Sequence, residues 1–107
     1  MGARLPVVLL WHMHQPQYRD AFTGEYVQPW TTLHALKDYA DMAAHLEANP
    51  AARAVVNFTP VLLEQLEDLA GEVRSCLEGA AALHDPVLAS LVDAAPIDPA
   101  KRLALLR

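Results

Sequence analysis

Leu5-Pro6-Val7-Val8-Leu9-Leu10-Trp11-His12-Met13-His14-Gln15-Pro16 decides how the chain is read, because an unbroken apolar run gives way at its end to polar, ring-bearing side chains. Residues 5–11 are rich enough in valine and leucine to form a strand buried on both faces, as parallel strands are. Pro16 ends strand pairing, since it has no N–H for a ladder bond and its ring fixes φ. A second short apolar run, Ala54-Val55-Val56-Asn57-Phe58, has the same character, so the segment between them decides how the two are joined. Thr31 or Thr32 offers a side-chain oxygen to the free amides of a helix, and Leu33, Leu36, Ala40, Ala43 and Leu46 recur at three- and four-residue spacing. The spacing predicts a helix to about residue 47, closed by Asn49-Pro50, where the residue before proline is pushed out of the helical region. Strand, helix and strand make a βαβ unit. Its right-handed crossover leaves both strands parallel, with their carboxyl ends on the sheet edge where ligands bind.

Outward from this unit, residues 12–29 show neither helical nor strand period and form a connection far longer than the usual ~4–6 residues. Thr59-Pro60 predicts another helix start, with proline at the first helical position where its missing N–H is not needed, and Leu62, Leu63, Leu66, Leu69 and Val73 form its buried stripe. Gly71 and Gly79 read as breaks, and Asp85-Pro86 and Asp98-Pro99 open short helices over residues 87–94 and 100–107. No third strand is expected after Phe58. The fold class is therefore α/β and helix-rich after residue 60, with residues 1–107 forming a single incomplete domain.

A length of 107 residues bounds the chain to one domain at most, and 53% apolar residues with a net charge of only −5 exclude a disordered one. The acidic balance, with pI near 5.4, argues against nucleic acid as a partner, because phosphate neutralisation needs a basic stripe. The single cysteine, Cys76, has no internal partner and reads as a buried thiol on a helix in a reducing cytoplasm. No segment has the roughly 20 apolar residues of a membrane span, and the run before His12 lacks a signal-peptide cleavage site, so no membrane partner is expected.

The chemistry concentrates where the first strand gives out. His12 and His14 stand two apart, so an extended backbone projects both imidazoles into the same space, and each offers a donor and an acceptor near neutral pH. Gln15 adds an amide that both donates and accepts. Trp11, Tyr18, Phe22, Tyr26 and Trp30 crowd the same region, and sugar rings stack on such faces. Asp20 and Glu25 in the long loop are within reach of a ligand or are plain surface charges. Glu64, Glu67, Asp68 and Glu72 fall at helical spacing and read as a solvated face, as do Asp38 and Asp41. His34, His45 and His84 have no clustered partner and read as ordinary surface or boundary histidines.

Trp11-His12-Met13-His14-Gln15-Pro16, then Pro29-Trp30 with Leu33-His34-Ala35-Leu36-Lys37-Asp38-Tyr39, then Asn57-Phe58-Thr59-Pro60-Val61-Leu62-Leu63-Glu64-Gln65-Leu66, resemble in order the opening segments of glycoside hydrolase family 57. The likeness spans most of residues 5–70 and thins beyond Gly71. It implies the N-terminal βαβα portion of a distorted (β/α)7 barrel that acts on α-glucans or maltooligosaccharides with retention of configuration. It implies no cofactor and no metal. The family's motif places its H-Q-P histidine, here His14, in the sugar site, with His12, Gln15 and Trp30 as further substrate-binding residues. Retaining chemistry needs two carboxyl groups about 5–5.5 Å apart, and the family carries them on later strands. No catalytic residue is expected in this chain; the carboxylates are expected beyond residue 107, and the remainder of the barrel or a covering subunit is expected as partner.

Two other readings compete. The H-x-H pair at a strand end also begins the metal site of amidohydrolase-type enzymes, and the leucine stripes of residues 60–107 also suit a non-catalytic helical interaction fragment.

Overall fold

The computed structural model describes residues 2, 4–93 and 98–104 of the chain. Strands β1 (Leu10–Met13) and β2 (Val55–Phe58) pair in parallel, with Leu10 opposite Val55, Trp11 opposite Val56, His12 opposite Asn57 and Met13 opposite Phe58. Helices α1 (Trp30–Leu36) and α2 (Asp38–Ala48) make the crossover; α3 (Pro60–Leu77), α4 (Pro86–Val92) and α5 (Pro99–Ala104) follow. The βαβ unit is the one the sequence predicts, but its first strand lies further along the chain. It begins at Leu10 and takes His12 and Met13 into the pairing, while residues 5–9 fall outside it. Register explains the shift: Val55 N–H donates to Leu9 C=O (2.9 Å) and Thr59 N–H to Met13 C=O (3.1 Å), so the four residues of β2 fix which part of the apolar run pairs. Burial on both faces is not found either. Leu5, Val7 and Val8 are 85%, 75% and 79% exposed, because two strands alone cannot cover each other's faces.

The crossover departs from the expected single helix. Pro29, not Thr31 or Thr32, stands at the cap, and neither threonine caps anything. Both are buried in the first turn, where the Thr31 hydroxyl donates to Gln65 Oε1 (3.2 Å) and the Thr32 hydroxyl to Asp85 Oδ2 (3.0 Å). Their oxygens thus anchor α1 to α3 and α4. The helix then breaks at Lys37 (φ −130°, ψ −74°), whose N–H reaches His34 C=O, before α2 begins at Asp38. No glycine or proline marks this break.

α3 starts at Pro60 as predicted, with Thr59 extended before it, but the Thr59 hydroxyl donates across to Met13 C=O (3.3 Å) instead of capping the helix. Of the predicted stripe, Leu62 and Leu69 are buried, Leu66 and Val73 half-buried and Leu63 exposed. Gly71 breaks nothing; α3 runs through it to Leu77. Gly79, at φ +71°, takes the left-handed conformation that only glycine enters cheaply just past a helix end. Asp85 is an authentic cap, its Oδ1 accepting from the N–H groups of Val87 (3.0 Å) and Leu88 (2.9 Å). The ends predicted for the last two helices, at Ala94 and at residues 105–107, lie outside the described residues. Among the described residues no helix is long and apolar enough to cross a membrane.

The buried centre lies between helices and is half polar: Met13, Leu62, Leu69 and Leu88 share it with Thr31, Thr32, Gln65 and Asp85. Gln65 is the hub. Its Oε1 accepts from the Thr31 hydroxyl and from Tyr18 N–H (3.2 Å), and its Nε2 donates to Pro16 C=O and Val61 C=O (3.0 Å each). One amide therefore joins α1, α3 and the start of the long loop. Further along that loop, an antiparallel bridge between Arg19 and Tyr26 closes a turn in which Asp20 Oδ1 accepts from Phe22 and Thr23 N–H (2.8 Å each). Those two amides, Thr23 foremost, hold the Asp20 carboxyl below the ordinary carboxylate range. Tyr26 clamps the turn to α3, its hydroxyl donating to Asp68 Oδ2 (3.0 Å) and Gln65 C=O (3.3 Å), with the Arg19 guanidinium 3.6 Å from Asp68.

Burial, then the Asp68 carboxylate, raises the Tyr26 phenol above its ordinary pKa of about 10. A raised folded pKa means the contribution is whole below the unfolded value and falls away as pH climbs through the folded one. Stability measured by urea titration is expected to decline as pH rises above about 10, and Tyr26→Phe, which has no proton to lose, is expected to flatten that limb; an unchanged slope in the variant would contradict the clamp.

Candidate functional site at the strand ends

Alternation along paired parallel strands sets out the site. His12 and Asn57 are register partners, so they project to the same face of the sheet, while the neighbouring pairs Trp11–Val56 and Met13–Phe58 project to the other. His12 Nδ1 lies 2.7 Å from Asn57 Oδ1, which fixes the ring and, with Nδ1 carrying the proton, leaves Nε2 as an acceptor. His14 follows on the same side and stacks on His12, ring centroids 6.0 Å apart and planes 14° from parallel. Both histidines are exposed. The expectation that the H-x-H imidazoles share one space is met.

Gln15 turns towards the crossover, where its Nε2 donates to the Tyr39 hydroxyl (3.1 Å) in the first turn of α2. Tyr39 stacks on His34 (centroids 5.9 Å, 26°), and His34 in turn meets Trp30 (6.5 Å, 33°) and pairs through Nδ1 with Asp38 Oδ2. Trp30, 48% exposed, thus opens a row that runs through His34 and Tyr39 to Gln15. The four predicted residues form two groups, His12 with His14 and Trp30 with Gln15, each tied together by direct or relayed contacts.

Three members of these groups escaped the sequence reading. Asn57 was legible in principle, as a polar residue interrupting an apolar strand one step before its carboxyl end. His34 and Tyr39 stand five apart across a helix break that no residue type announces. Conversely, most of the other aromatics serve the scaffold: Trp11 is half-buried on the face opposite His12, Tyr26 clamps α3, Tyr18 is tied to Gln65 through its backbone, and Phe22 is fully exposed.

Apart from Asp38, which pairs with His34, the acids fall elsewhere. A groove of about 890 Å³ lies between the loop of residues 19–26, α3 and the segment before α4, and neither the histidine pair nor Gln15 nor Trp30 lines it. Asp68 and Glu72 are not a solvated face, as the spacing suggested. Asp68 holds Tyr26 and Arg19, and Glu72 Oε1 accepts from the N–H groups of His84 and Asp85, the latter at 2.7 Å. Among the described residues no three His, Cys, Asp or Glu side chains are grouped as metal ligands.

Two stacked imidazoles thus stand at the carboxyl end of a parallel strand pair, and the Gln15 amide stands in a separate row with Tyr39, His34 and Trp30. The particular family is given by comparison: the family model described as glycosyl hydrolase family 57 matches residues 8–92. The chain belongs to that family, and its role is carbohydrate-active, as a glycoside hydrolase or transferase. The family implies a β/α barrel, with which the parallel pair and its helices are compatible. No curated protein and no solved structure matches the chain.

Proposed function

We propose that this chain is the substrate-binding portion of a retaining enzyme that hydrolyses or transfers α-glucans, and that His12, His14, Gln15 and Trp30 receive the sugar. The observation that carries the reading is the fixed His12–Asn57 pair at the carboxyl edge of β1 and β2, with His14 stacked on it. The pair presents an imidazole acceptor in a set orientation, which is what discrimination of one sugar hydroxyl from its epimer requires. Trp30 supplies an apolar ring face for the sugar's C–H side. None of the acids in this chain enters the chemistry; the two carboxyl groups of the retaining mechanism belong to later strands of the family's barrel.

Reducing-sugar release from maltoheptaose by the whole gene product tests the proposal. His12→Ala and His14→Ala are each expected to lower kcat/KM at least about tenfold, the scale of one lost hydrogen bond of ~1.4 kcal/mol to a transition state. Wild-type rates in both variants, or turnover of β-linked but not α-linked glucans, would overturn it.

A further inference from the structure

We propose that Tyr39 is a positioning residue for the sugar site, holding the Gln15 amide so that its carbonyl oxygen faces the ligand. The inference rests on the substrate-binding reading above and adds a residue and a role to it. Gln15 is a long side chain on a loop, and left alone its amide samples several rotamers, whose loss on binding weakens affinity. Among the described residues its one hydrogen bond is the donation from Nε2 to the Tyr39 hydroxyl at 3.1 Å. With that donor engaged, the outward group is Oε1, which has no partner among the described residues and accepts from a sugar hydroxyl.

Tyr39 is itself held. It is half-buried, its ring lies against His34 at 5.9 Å, and His34 is gripped by Asp38 from one side and by the Trp30 ring from another. The break at Lys37 makes this possible: residues 34 and 39 face each other because α1 ends and α2 restarts between them. On an unbroken helix five residues subtend about 500°, which leaves the two side chains some 140° apart around the axis. The interruption therefore has a consequence at the site, the alignment of a relay running from Trp30 through His34 and Tyr39 to Gln15.

The test is a double-mutant cycle on maltoheptaose binding by the whole gene product, read as Kd by isothermal titration calorimetry with Tyr39→Phe, Gln15→Ala and the pair together. Tyr39→Phe keeps the ring and its stacking and removes only the hydroxyl. The expected result is a three- to tenfold weaker Kd for Tyr39→Phe, a similar or larger loss for Gln15→Ala, and no further loss in the double variant, since without the amide the hydroxyl has nothing to position. Losses that multiply in the double variant, or a Tyr39→Phe Kd equal to wild type while Gln15→Ala is impaired, would overturn the positioning role and leave the substrate-binding reading standing. A wild-type Kd for Gln15→Ala would instead overturn Gln15 as a sugar contact, and the positioning role with it.

Discussion

Replacing Gln65 with leucine is expected to lower stability by about 3–5 kcal/mol, a loss on the scale of the whole stability of many small domains. The volume is nearly kept, so the cost is one of unmet hydrogen bonds. Four groups depend on that amide: the Thr31 hydroxyl and Tyr18 N–H as donors, and the Pro16 and Val61 carbonyls as acceptors. A buried polar group left without its partner costs about 1–3 kcal/mol. Thr31 is fully buried and bears the full cost; the Val61 carbonyl lies in the first turns of α3 and recovers part of it. The loop beginning at Pro16 would also lose its tether to α3, so sugar binding is expected to weaken together with stability. Urea unfolding followed by circular dichroism checks the value, and a change below about 1 kcal/mol would show that the hub is not what joins the loop to the helices.

Asp85→Ala is expected to cost about 2–4 kcal/mol, with the damage confined to α4 and its contact with α1. The carboxylate is buried and does two things at once. Oδ1 caps α4 through the amides of Val87 and Leu88, a role worth ~1 kcal/mol in typical helices, and Oδ2 accepts from the Thr32 hydroxyl, which alanine would leave buried and unpaired. Asp85→Asn keeps one oxygen for the cap and is expected to cost less than half as much. Adding Thr32→Val to Asp85→Ala is expected to recover about 1 kcal/mol or more, because the orphaned hydroxyl goes with it. Equal losses in Asp85→Ala and Asp85→Asn would mean that the charge of the carboxylate, and not its geometry, holds the site.

Both residues show how a small apolar core is supplemented. With four buried hydrophobic side chains among the described residues, the helices are not held by leucine packing alone. Polar side chains that reach across elements specify which helix meets which, and they tolerate little substitution because each is satisfied by named partners. The exposed apolar residues at 5–10 and on β2 tell the complementary story: apart from Met13 and the half-buried Trp11, the sheet's faces are left open by the described helices. The Cα radius of gyration of 18.4 Å, against about 13 Å for a compact chain of ~100 residues, measures the same openness.

Part of this protein is determined by sequence alone. Apolar runs bounded by proline gave the two strands, Pro60 and Asp85-Pro86 gave the starts of α3 and α4, and the H-x-H-Q-P context placed His12, His14 and Gln15 at a strand end, in a family that the match over residues 8–92 bears out. These are local signals, set by backbone conformations that proline and β-branched side chains restrict wherever they occur. What only the tertiary structure decided is where strand pairing begins and which polar side chains meet. Register chose Leu10 over Leu5 because β2 offers four residues of ladder and no more. Thr31 and Thr32 read locally as caps, yet they became anchors because Gln65 and Asp85, far along the chain, are better partners for a buried hydroxyl than free amides open to water. Likewise Asn57 and Tyr39 meet His12 and Gln15 across 45 and 24 residues of chain, whereas His34 meets Trp30 and Asp38 at local four-residue spacing.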